Sequence, residues 1–254
     1  MLEEFKKSKQ TAFIPYLVAG YPSLEDTLRM ADILVAQGAD VLELGVPYSD
    51  ALADGPVIQK ASESTVETFG SLQQVFELSQ VLKKKYPALR LVLFSYFNPL
   101  LKMGLPQFAA QAKKAGVDAV LTVDLPPEEA GDYLQCLKAE ELGSVFLVSP
   151  TTNPKRIPLI AESSTAFIYY VSRIGLTGVQ TELSNSLEAE LVQLRKLVDK
   201  PIVVGFGISS GAQAAQVSSL VEGVVVGSAF VKLMGEPEKA LALAREIKLA
   251  LRSP

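Results

Sequence analysis

The chain of 254 residues, 48% of them hydrophobic, can build one sizeable core, and no uncharged apolar run reaches the roughly 20 residues of a membrane span. A formal charge of −4 and a pI near 5.1 argue against nucleic-acid binding, and the single Cys136 cannot pair internally, which fits a reducing cytoplasm. The absence of histidine excludes Ser-His-Asp triads, HExxH zinc sites and any imidazole acid or base, so chemistry falls to carboxylates, Tyr, Lys or Cys136, and no metal is expected.

The N-terminus, MLEEFKKSKQ, is charged and lacks the apolar stretch of a secretory signal. Short apolar runs then alternate with amphipathic helical stretches. The predicted strands are TAFIPYLVA (11–19), DVLELGV (40–46), RLVLFSY (90–96), DAVLTVD (118–124), SVFLVS (144–149), AFIYYV (166–171), PIVVGF (201–206) and GVVVG (223–227). They are nearly continuous in apolar residues, as strands covered on both faces are.

Between the first two strands, Ser23 followed by Asp26 predicts a capping box. Leu24, Leu28, Ala31 and Leu34/Val35 form one stripe, and Gly38 suits a left-handed helix end. The same turn recurs: QGADVLEL (37–44) and AGVDAVLT (115–122) share one form, and EGVVVGS (222–228) is a looser third copy. Eight strands, seven intervening helices and a C-terminal helix in about 250 residues predict an α/β chain forming a single (β/α)8 TIM barrel over residues 1–254. The alternative is an open doubly wound sheet.

A barrel of this kind places its site at the C-terminal strand ends. Three glycine-bearing spots follow late strands: Gly178 in SRIGLTG, Gly205 and Gly207 in VGFGISS, and Gly227 with Ser228 in VVVGSAF. Singly these are ordinary turn glycines; after strands seven and eight together they match a barrel phosphate site, where backbone N–H groups converge on the anion. In LELGVPYSDALADGP (42–56), Glu43 lies inside an apolar strand. Unless paired with a buried Lys or Ser, such a carboxylate has a raised pKa suited to acid/base work. Asp50 and Asp54 follow in the loop; solvated or capping roles are the plainer reading of each alone. One of Tyr169 and Tyr170 should face the barrel interior. Phe13, Phe94, Tyr96, Leu121, Val123, Val148 and Phe206 are candidates to line a pocket for a flat apolar group, or simply core.

LELGVPYSDALADGP, the Tyr-bearing segment running into SRIGLTG, then GFGIS and VGSAFVK, in that order, resemble the α subunit of tryptophan synthase, over about Phe13 to Lys232. The resemblance implies cleavage of indole-3-glycerol phosphate to indole and glyceraldehyde 3-phosphate by a retro-aldol reaction. It implies Glu43 as the acid/base that protonates indole C3, Asp54 as partner of the indole N–H, and Tyr169 as a further site residue. Gly178, Gly207, Gly227 and Ser228 would bind phosphate, Phe206 and the apolar residues would enclose indole, and Asp50 with Thr177 would couple loop closure. It implies no cofactor in this chain, a partner β subunit carrying pyridoxal phosphate, and assembly from two α and two β chains. Departures are Ala51, where the family usually has proline, and Tyr48 and Val57, where phenylalanine and threonine are common. Competing readings are a regulatory subunit that binds a phosphate ligand with little catalysis of its own, and another phosphate-binding barrel enzyme.

Overall fold

The computed structural model describes residues 1–8, 10–171, 185–205 and 207–252. Eight parallel strands close into a barrel in chain order: β1 (Ala12–Val18), β2 (Val41–Gly45), β3 (Arg90–Ser95), β4 (Ala119–Thr122), β5 (Gly143–Val148), β6 (Phe167–Val171), β7 (Ile202–Gly205) and β8 (Gly223–Val226). Each lies within or one residue beyond its predicted window, and β1 on β8 closes the ring with Phe13 opposite Val224. This is a (β/α)8 TIM barrel.

Because neighbouring side chains on a strand point to opposite faces, the apolar runs divide into two clusters. Ile14, Tyr16, Val92, Phe94, Leu121 and Tyr169 belong to the inner one. Leu17, Leu42, Leu44, Leu93 and Val204 belong to the outer one, which packs beneath the helices.

The helices are α1 (Glu3–Ser8), α2 (Leu24–Ala36), α3 (Pro56–Phe69), α4 (Leu72–Lys85), α5 (Phe97–Met103), α6 (Leu105–Lys114), α7 (Gly131–Ala139), α8 (Ile157–Ser163), α9 (Asn185–Leu197), α10 (Gly211–Ser218), α11 (Ser228–Lys232) and α12 (Pro237–Arg252). One helix per connection was too simple: β2–β3 and β3–β4 each carry two, and two follow β8. The breaks have local causes. Ser71 after Gly70 starts α4 with a full capping box, its hydroxyl accepting from Gln74 N and the Gln74 side chain accepting from Ser71 N. Gly104, at φ 91°, separates α5 from α6, with Pro106 in the first turn of the latter. At Ser23 only half of the expected box forms: its hydroxyl accepts from Asp26 N at 3.1 Å but donates to the Asp26 carboxylate at 2.6 Å. Asp is one methylene shorter than the glutamate of a full box.

The recurring helix-to-strand turn is a Schellman motif, in which two crossed N–H groups satisfy the last carbonyls. Gly38 N bonds Val35 O and Ala39 N bonds Leu34 O; Gly116 N bonds Lys113 O and Val117 N bonds Ala112 O. A further copy ends α7, where Glu141 N bonds Lys138 O and Leu142 N bonds Leu137 O. There Glu141 holds φ 52°, a left-handed conformation in which its Cβ is crowded. Glu141→Gly is therefore expected to stabilise the fold by about 0.5–1 kcal/mol, because relief of that crowding exceeds the added chain entropy. A higher urea midpoint at unchanged slope would show it; an unchanged or lower midpoint would refute it.

Just beyond this turn the same device appears at every even-numbered strand. The residue before β2, β4 and β8 is Asp40, Asp118 or Glu222, and its carboxylate accepts an N–H at the start of the preceding odd strand: Phe13 N at 2.8 Å, Leu91 N at 2.8 Å and Ile202 N at 2.7 Å. Lys248, Lys83 and Arg195 neutralise the three carboxylates at 2.6, 3.0 and 2.6 Å. Before β6, the Thr165 hydroxyl does the same for Ser144 N at 2.9 Å. The three carboxylates and the Thr165 hydroxyl thus tie neighbouring strands together at the N-terminal end of the barrel, leaving the opposite end for chemistry. In the looser third copy Glu222 takes the aspartate's place, and Gly223 is the first residue of β8 rather than the end of a helix.

Candidate active site

Glu43 projects from the middle of β2 into the barrel, between the inward positions of Val41 and Gly45. It is 1% exposed, and neither carboxylate oxygen has a hydrogen-bond partner among the described residues. Burial, and then the nearby charge of Asp54, push its pKa up to about 8. Among the described residues no Lys or Ser pairs with it, as the alternative of a structural Glu would require. At neutral pH the group is a neutral acid able to give up a proton.

The connection from β2 to α3 carries Asp54 over the strand ends. Its base is pinned where Tyr48 N donates to Ser62 Oγ at 2.7 Å and Ser62 Oγ donates back to Tyr48 O at 3.0 Å. Asp54 N then bonds Ala51 O at 3.1 Å, and Ala51 is fully buried. Asp54 is half-buried, and burial lifts its pKa to about 6, opposed by a hydrogen bond from Tyr96. The Tyr96 hydroxyl donates to Asp54 Oδ2 at 3.0 Å and accepts from Ala53 N at 3.0 Å. Its ring stacks on Tyr48, with centroids 4.8 Å apart. Asp50 is exposed on this loop, its carboxylate bonded to the Ser49 hydroxyl.

Tyr169 of β6 is the tyrosine that faces inward; Tyr170 points outward and donates to Glu190 of α9 at 2.6 Å. Burial, with the charges of Glu43 and Asp54, raises the Tyr169 pKa well above the ordinary phenol value, so it stays protonated. Its hydroxyl occupies the space above Gly205, where an added Cβ would lie 2.0 Å from it. Tyr16 of β1 leans over Gly45 in the same way, also 2.0 Å from a would-be Cβ. Gly205→Ala is therefore expected to displace Tyr169, costing about 1–3 kcal/mol of stability and at least tenfold in turnover. Unfolding curves and steady-state rates that match the wild type would refute this.

Two expected lining residues fall on the wrong face. Phe13 points outward and packs against Phe230, centroids 6.0 Å apart, and Val148 belongs to the same outer layer. Strands that are apolar on both faces carry no alternation from which their parity could be read. Phe94 and Leu121 face inward, Val123 packs against the inner cluster, and Tyr96 sits at the rim as a polar contact rather than apolar lining. Tyr16, Ile58 and Leu147 also belong to the inner cluster or pack on it and were not anticipated. The common inward parity of Tyr16 and Glu43, opposite one another on β1 and β2, becomes visible only from the strand register.

Of the anion-binding candidates, Gly207 follows β7 at φ 87°, a conformation that itself calls for glycine. Gly227 follows β8 with φ −106°, and an added Cβ would only touch Ile58 and Tyr16 at 3.5 Å. Packing among the described residues thus leaves room for a side chain there, while the paired ψ of −85° lies outside the main helical and extended regions and itself favours glycine. Ser228 opens α11 and is half-buried. Thr177, Gly178 and Phe206 lie outside the described residues. Among the described residues no cluster of His, Cys, Asp and Glu could hold a metal ion, and no helix is long and apolar enough to cross a membrane.

The family described as tryptophan synthase alpha chain matches residues 2–252. The tryptophan synthase alpha chain of Geobacter sulfurreducens is 41% identical over 96% of this chain and 92% of its own, and that of Aquifex aeolicus 39% identical over 98% and 96%. Among solved structures, Mycobacterium tuberculosis tryptophan synthase superposes with a TM-score of 0.91 at 32% identity, covering 100% of this chain and 97% of that one. Tryptophan synthase subunit alpha of Legionella pneumophila gives 0.89 at 33%, covering 98% and 96%.

Proposed function

The chain belongs to the tryptophan synthase alpha chain family, whose α subunit cleaves indole-3-glycerol phosphate in tryptophan biosynthesis, and from that premise we propose how its barrel mouth divides the work. The observation that carries the proposal is the buried Glu43 carboxyl, which has no hydrogen-bond partner among the described residues. As a neutral acid it protonates C3 of the indole ring, and the ring nitrogen takes on positive charge. Asp54, ionised above about pH 6, accepts the ring N–H and stabilises that charge. The carbon–carbon bond to the glycerol chain then breaks, and its electrons return to the ring and neutralise the nitrogen. The adjacent hydroxyl loses its proton to the Glu43 carboxylate and becomes the aldehyde of glyceraldehyde 3-phosphate. Indole and the aldehyde leave, and Glu43 is again protonated.

Phe94, Leu121, Val123 and Tyr169 would surround the ring. Gly207, Gly227 and Ser228 would hold the phosphate, joined by Gly178, with Phe206 over the indole. Asp50 and Thr177 would link closure of the two loops. The chain would act as one catalytic barrel domain over residues 1–254 in the cytoplasm, without a cofactor of its own. Two copies would assemble with two β subunits, whose pyridoxal phosphate joins indole to serine.

The deciding measurement is indole release from indole-3-glycerol phosphate, with and without a β subunit. Turnover that rises when the partner is added is the expected result. No release even with the partner would overturn the lyase assignment and leave a ligand-binding regulatory subunit.

A further inference from the structure

Tyr96 stands where the resemblance and the apolar pattern suggest only a pocket wall, yet both hydrogen-bonding capacities of its hydroxyl are used on the β2–α3 loop. The oxygen accepts from Ala53 N and donates to Asp54 Oδ2, each at 3.0 Å, so two successive loop residues hang on one side chain. That side chain is itself fixed from several directions. It caps α5 with extended backbone, its carbonyl accepts from Ser95 Oγ at 2.9 Å, and the next residue, Phe97 N, donates to Asp124 Oδ1 at 2.7 Å. Its ring is held by the stacked Tyr48, whose own backbone is bonded to Ser62 on α3.

The loop has little else to aim Asp54. Leu52 and Ala53 are exposed, and the internal bonds are Leu52 N to Asp50 O at 2.7 Å and Asp54 N to Ala51 O at 3.1 Å. A carboxylate accepts on two oxygens. Oδ2 is taken by Tyr96, and Oδ1 has no hydrogen-bond partner among the described residues. We propose that Tyr96 is a positioning residue: it fixes the plane of the Asp54 carboxylate so that Oδ1 is presented to the N–H donor of the bound ring. This rests on the reading of Asp54 as partner of that N–H. The tyrosine need not touch the substrate. It removes the rotational freedom that a half-buried aspartate on a sparsely bonded loop would otherwise have, and it favours the ionised form by donating to it.

The test uses the full chain with its β subunit, following indole release across pH for wild type, Tyr96→Phe and Asp54→Ala. Tyr96→Phe keeps the ring and its stack and loses only the oxygen. A hydrogen bond to a charged group is worth about 1.5–3 kcal/mol, so kcat should fall about 10- to 100-fold with a smaller change in KM. The acid limb of kcat/KM should also move to higher pH. A ring-fluorinated tyrosine at position 96, a stronger donor with the same shape, should move that limb to lower pH, and it keeps the proposal testable if the phenylalanine variant folds poorly. An unchanged kcat and unmoved limb in Tyr96→Phe, with Asp54→Ala inactive, would overturn the proposal. So would a fall in kcat with the limb fixed in both variants, which would make Tyr96 a loop brace only. Full turnover in Asp54→Ala would remove the underlying reading, and the proposal with it.

Discussion

Glu43→Gln is expected to lower kcat for indole release by about 100- to 10,000-fold and to make the protein more stable. The first effect follows from geometry. The side chain keeps its size and position, but an amide cannot deliver a proton to carbon or collect one from the glycerol hydroxyl. With uniform binding untouched, KM should change little and kcat/KM should fall with kcat. The second effect follows from burial. In the folded chain the carboxyl resists ionisation until about pH 8, whereas unfolded it ionises near 4.5. Between those values the unfolded state binds fewer protons, so wild-type stability declines as pH rises through that window. Glutamine has no charge to desolvate, and at pH 7 the variant should gain up to about 3 kcal/mol. Below about pH 4 the advantage should vanish, because both forms of the wild-type group are then neutral. Denaturant curves at pH 4 and pH 7 beside steady-state rates check both halves. Wild-type turnover in the variant would refute Glu43 as the acid, and a stability difference between variant and wild type that is the same at the two pH values would refute its burial as a neutral group.

How much of this was legible before the structure depends on the kind of signal. The strands were, because each is a short run covered on two faces, and the Gly-x-Asp turns repeated in step with them. Glu43 was legible for the converse reason: a carboxylate inside an apolar strand is costly unless it has a purpose. Strand parity was not legible, since a run apolar on both faces looks alike from inside and outside, and Phe13 and Val148 were misplaced for that reason. The paired helices after β2 and β3 had signals, Ser71 with Gln74 and Gly104 with Pro106, but these are weaker than the helical periodicity running through them. Tyr96 could not be separated from its apolar neighbours, because its polar role depends on the approach of Ala53 and Asp54 from a loop more than forty residues earlier in the chain.

The rate of indole release should trace a bell against pH, with limbs near 6 and 8, and the acid limb should disappear in Asp54→Asn. Asp54 works as an anion, so kcat/KM should climb as pH rises through the value near 6 at which it ionises. Glu43 works as a neutral acid, so the rate should fall as pH rises through the value near 8 at which it loses its proton. The order of the two values is what makes a working window. Burial raises both groups, but Glu43 lies deeper and also faces the Asp54 charge, while Tyr96 donates to Asp54 and holds its value down. Were the order reversed, the reactive combination of an ionised Asp54 beside a protonated Glu43 would be a minority state at every pH. Asparagine at position 54 still offers an oxygen to the ring N–H but carries no charge to offset the cation formed when C3 is protonated. Turnover should fall on the order of 100-fold, the scale of losing one preorganised electrostatic contact to a transition state. The alkaline limb should move to lower pH at the same time, because Glu43 no longer faces a neighbouring anion and ionises more readily. An alkaline limb that stays in place would mean that the two carboxyl groups do not sense each other, and the division of labour between them would have to be abandoned.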